Sequence, residues 1–66
     1  MKTEAGIKLK KGMIVLYYGE LPAYEIIYIK DGFVCCKYWS QLKMNKITKM
    51  HTIGFSKGES CYLVVI

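Results

Sequence analysis

Between two apolar runs, AYEIIYI (23–29) and FVCCKYW (33–39), the chain reads Lys30-Asp31-Gly32. Both runs are rich in the β-branched and aromatic residues that suit a pleated, half-buried surface, so the pair reads as a β-hairpin. The turn decides which side chains meet. A three-residue loop, a type I turn closed by Gly32 in the left-handed region, sets Tyr24 opposite Tyr38, Ile26 opposite Cys36, Tyr28 opposite Val34 and Glu25 opposite Lys37. A two-residue loop on Asp31-Gly32 instead sets Glu25 against Tyr38 and Lys37 against Ile26. Because a one-residue slip exchanges the faces, the three-residue loop is favoured: it joins opposite charges and keeps apolar partners together.

Side chains alternate along a strand, so this register places Cys36 in the core beside Ile26 and Cys35 on the opposite face. The two thiols then cannot ligate one metal. A zinc site from Cys35, Cys36, Cys61 and His51 lacks both a C-x2-C knuckle and a second histidine, and the reading is no metal and no cofactor. The cysteines are expected as reduced thiols packed like small hydrophobes in a cytoplasmic protein.

Turn signals recur along the rest of the chain at the spacing of a small all-β meander. MIVLYY (13–18) is a strand, broken by GELP (19–22), where Gly19 tolerates positive φ and Pro22 donates no ladder hydrogen bond. Residues 46–53 read as a strand, although Ser40 is also a plausible helix cap. GFSKGES (54–60) reads as a loop and CYLVVI (61–66) as a last strand pairing near the first. Residues 1–8 read as a flexible tail, leaving 9–66 as one domain. The expected architecture is a five-stranded SH3-like barrel, with an open antiparallel sheet or an OB-like barrel, carrying a short helix near 40–50, as the alternative. With 53% hydrophobic residues the chain is too apolar for disorder, and no run approaches the ~18 apolar residues of a membrane span. The first twelve residues hold no apolar stretch that a secretory signal needs.

Residues 12–39, with Gly12, Val15, Gly19, Pro22, Ile26, Gly32, Val34, Cys36 and the aromatic pair Tyr38-Trp39, resemble the YodC-like family of small bacterial proteins. In that family a glycine-led strand, a glycine and proline turn and a hydrophobic strand precede a V-x-C-x-aromatic strand. Here Met13 stands where the family usually has an acidic residue, and the segment after Trp39 is longer. The resemblance implies an SH3-like barrel and lends no activity.

Catalysis needs a base held by a neighbour, and His51 is the one side chain that ordinarily titrates near neutrality. No nucleophile, base and orienting group assemble around it, so the chain does not read as an enzyme. The leading reading is a non-catalytic module, a small regulator or inhibitor, that binds a protein or a second copy of itself. Its contact surface is the apolar outer face of the hairpin, where Ile27, Ile29, Phe33, Cys35 and Trp39 point away from the core, together with the turn at Tyr18 and Glu20. The contact residues are Tyr18, Glu20, Ile27, Phe33, Lys37 and Trp39. The alternative is weak nucleic-acid binding, suggested by a net charge of +5 and the lysines Lys8, Lys10, Lys11, Lys43, Lys46 and Lys49. All ten basic residues are lysine, so the forked guanidinium that reads guanine edges is missing.

Overall fold

The computed structural model describes residues 1–38 and 52–66. Five antiparallel strands, β1 (Ile14–Tyr17), β2 (Glu20–Lys30), β3 (Phe33–Tyr38), β4 (Thr52–Ser56) and β5 (Leu63–Val65), form one sheet in the order β4-β3-β2-β1-β5. A single helical turn, α1 (Lys57–Ser60), links the last two strands. The all-β class holds, and the sheet is open in its pairing. The expected pairing of the last strand with the first is present, Val15 opposite Val65 and Tyr17 opposite Leu63.

The central hairpin resolves the choice of register by using both. Asp31 (φ 49°) and Gly32 (φ 80°) are both left-handed, and Lys30 pairs with Phe33, so the loop has two residues and not the three expected. This mirror-image turn matches the right-handed twist of the strands it joins. Near the turn the pairs are Tyr28 with Cys35 and Ile29 with Val34, which overturns the expected Tyr28–Val34 pair. A bulge at Ile27 then inserts one residue into β2, and beyond it Ile26 meets Cys36, Glu25 meets Lys37 and Tyr24 meets Tyr38, as anticipated. The turn fixes one register and the burial of Ile26 and Cys36 fixes the other, and one extra residue reconciles them. Ile29 consequently shares the face of Val34 rather than that of Phe33 and Cys35.

The first hairpin repeats the device. Tyr18 (φ 57°) and Gly19 (φ 75°) form its two-residue turn, Tyr17 pairs with Glu20, and Leu16 pairs with Ala23. Leu21 and Pro22 are therefore extra residues in β2, where the missing N–H of Pro22 breaks no ladder bond.

Val15, Tyr24, Ile26, Val34, Cys36, Phe55 and Leu63 gather on one face as the core, and Leu9 closes it from the N-terminal side. Phe55 lies on β4, three places from β1 in the sheet, which is about 14 Å in a flat sheet. Yet its ring stacks on Tyr17 of β1 at 5.1 Å. The sheet is therefore curled around the core, and residues 57–62 suffice to connect its two edge strands.

Two segments differ from expectation. Residues 54–56 belong to β4, and 57–60 are helical rather than loop, because the Ser56 hydroxyl accepts from the Glu59 N–H while the Glu59 carboxylate accepts from the Ser56 N–H. Residues 1–9, read as mostly tail, form a narrow turn with Lys2 bridged to Lys8, Thr3 donating to Ile7 and Leu9 donating to Met1. The Glu4 N–H donates to the Cys61 carbonyl at 2.8 Å, fastening this turn beside β5. Trp39, Lys43, Lys46, Lys49 and His51 lie outside the described residues, as does most of the strand expected over 46–53.

Candidate functional site

Six aromatic rings run through the molecule in unbroken contact. Tyr38 lies 5.1 Å from Tyr24, Tyr24 lies 5.4 Å from Phe55, and Phe55 lies 5.1 Å from Tyr17. Tyr17 meets Tyr18 edge-on at 4.7 Å, and Tyr18 stacks nearly parallel on Tyr62 at 4.8 Å. The middle of the run, Tyr24 and Phe55, is core, whereas Tyr18 is 59% exposed. The ladder therefore carries packing forces from the interior to a surface tyrosine.

Tyr18 is the most unusual residue of this end. It occupies a left-handed position in a turn where asparagine, aspartate or glycine is the ordinary choice, and a bulky side chain there is strained by about 1 kcal/mol or more. Its own N–H bonds to the Tyr62 carbonyl at 2.9 Å, so backbone and ring are held to the same neighbour. Gly19 follows within van der Waals reach of Val64.

Beside this pair runs a groove of about 420 Å³ between the N-terminal turn and residues 61–65. Thr3, Glu4 and Ile7 form one wall, and Tyr18, Tyr62 and Val64 form much of the other. Glu4 is the sole charged residue lining it, and none of the ten lysines does. Glu20 opens β2 directly after the turn, and the Glu59 carboxylate acts electrostatically on Tyr17. Three of the five acidic residues thus gather at one end of a basic chain. The Tyr62 phenol is raised above its ordinary pKa by the neighbouring Cys61, then by Tyr18 and Glu4; that of Tyr17 is raised by desolvation first. Both phenols remain neutral hydroxyls at physiological pH.

The opposite end of β2 carries a second, convex apolar patch. Phe33, Tyr28 and Ile29 are exposed there, Ile27 is half-buried at the bulge, and Tyr28 hydrogen-bonds Cys35. Lys37 and Glu25 make an ion pair at 3.5 Å on the same sheet face as Phe33. The expected contact residues are therefore not one surface: Tyr18 and Glu20 sit about 30 Å of strand away from Phe33, with Ile27 and Lys37 between. Tyr62, Glu4 and Val64, which complete the concave end, were not expected from the sequence. Lys8, Lys10 and Lys11 are exposed on the N-terminal segment and do not line the groove.

Among the described residues no cluster of three or more His, Cys, Asp or Glu forms, and no helix is long and apolar enough to cross a membrane. No protein-family model, curated protein or solved structure matches the chain.

Proposed function

We propose that this chain is a non-catalytic interaction module that holds a protein partner at the tyrosine-lined groove beside β5. The observation that carries the reading is Tyr18, a bulky residue kept at positive φ, mostly exposed, and stacked on Tyr62 at the mouth of a concavity. Backbone strain retained at an exposed aromatic side chain argues for a use other than stability, and tyrosines of this kind are frequent binding anchors. The hairpin patch around Phe33 is convex and serves this reading less well. Nucleic-acid binding is disfavoured at this surface, because stacking platforms for bases work with lysines beside the rings, and here the neighbours are carboxylates. The module acts in the cytoplasm, where Cys35, Cys36 and Cys61 stay free. The SH3-like barrel and the kinship with YodC-like proteins belong to the same proposal, supported by the short connection between β4 and β5.

The test is Tyr18→Asn, which suits the turn better. Stability is expected to hold or to rise by up to about 1 kcal/mol, while a partner isolated from native extract with the parent chain is no longer retained. Retention of that partner by Tyr18→Asn, with loss in Phe33→Ala, would move the contact to the hairpin.

A further inference from the structure

The groove has a chemistry that names its occupant more closely. It offers two stacked phenol rings, one carboxylate and aliphatic walls, and its volume falls within the range of small-ligand sites. A planar cation satisfies all of these at once: its face lies on a tyrosine ring, its N–H edge meets a carboxylate, and its alkyl stem covers Ile7 and Val64. Glu4 has no ion-pair partner among the described residues, and its main-chain N–H is tied to Cys61, so its carboxylate stands at a fixed place on the wall.

We propose that the groove between the N-terminal turn and β5 is a receptor for an arginine side chain of the partner, stacked on Tyr18 or Tyr62 and paired with Glu4. This deepens the reading of the chain as an interaction module and rests on it. A second copy is not the occupant, since the chain has ten lysines and no arginine and two copies of charge +5 repel. A free arginine would bind by the same contacts, but without the flanking backbone that lies along residues 61–65, so a peptide is the committed source.

The experiment uses the full isotope-labelled chain and three capped pentapeptides, Gly-Ser-X-Ser-Gly, with X arginine, lysine or citrulline, the last a neutral isostere of arginine. N-acetylarginine amide serves as the free-ligand arm. The arginine peptide is expected to give saturable amide shifts confined to residues 3–7, 18–19 and 61–65, at least severalfold tighter than the free amide. Citrulline should bind about tenfold or more weakly, and Glu4→Gln should weaken the arginine peptide by about tenfold while its own spectrum stays native. Tyr62→Leu, if folded, should cost about two- to fivefold. The proposal is overturned if citrulline or lysine binds as well as arginine, if the free amide binds as tightly as the peptide, if the shifts map elsewhere, if Glu4→Gln changes nothing, or if no saturation occurs by about 10 mM. Should the arginine peptide fail while Tyr18→Asn still releases the isolated partner, the guanidinium assignment falls and the interaction module stands. Should both fail, both readings fall.

Discussion

Phe55 is the residue on which the curl of the sheet turns, and its truncation should come close to unfolding the chain. Its side chain is 5% exposed and lies between Tyr17 and Tyr24, at ring distances of 5.1 and 5.4 Å. Replacing a buried phenylalanine by alanine costs about 3–5 kcal/mol, through lost burial and the cavity left behind. A chain of 66 residues has a total stability of about 3–10 kcal/mol. Phe55→Ala should therefore leave a substantial unfolded population in buffer at 25 °C. Phe55→Leu keeps most of the volume but loses two ring contacts, each worth about 0.5–1.5 kcal/mol, so a cost of about 1–3 kcal/mol is expected. Urea titration followed by far-ultraviolet circular dichroism reads both. With a slope near 1 kcal/mol per molar for a domain of this size, the leucine variant should lose about 1–3 M in midpoint. A loss below about 1 kcal/mol in Phe55→Ala would refute the packing of β4 across to β1.

The thiols should separate by reactivity and pH. Burial first, then the neighbouring Cys35, pushes the Cys36 thiol up from 9.0 to about 11, so it should resist alkylation in the native chain while the half-buried Cys35 and Cys61 react. Because the folded state holds that proton more tightly than the unfolded state, the associated stability is complete below pH 9 and is lost as pH rises toward 11. The difference amounts to about 2–3 kcal/mol, visible as a falling urea midpoint over that window, and a flat profile would contradict the burial of Cys36. Gly32→Ala meets no neighbouring atom yet needs φ near 80°, so it should cost about 1–2 kcal/mol by the same titration, and a neutral result would argue against the two-residue turn.

The hairpin between β2 and β3 was readable because Asp31-Gly32 and the Glu25–Lys37 complementarity are local signals. Its bulge was not, since twist at the turn and burial farther along each favour a different register, and sequence spacing shows only one preference at a time. The helical turn at 57–60 was legible in principle: Ser56 and Glu59 have the spacing of a capping box. Tyr18 was recognised as a contact residue for its position beside a turn, but a tyrosine in a left-handed site carries no compositional sign. The groove was out of reach because Glu4 and Tyr62 are far apart in the chain and meet only through the bond from Glu4 to Cys61 and the pairing of β5 with β1.

The account rests on one run of rings that both curls the sheet and delivers Tyr18 to the groove. Ring-to-ring nuclear Overhauser effects in the native chain test this most directly. Cross-peaks from Phe55 to Tyr17 and Tyr24, and from Tyr18 to Tyr62, are the predicted result. A Tyr18 ring with no cross-peak to Tyr62, or a Phe55 ring with none to Tyr17, would contradict it.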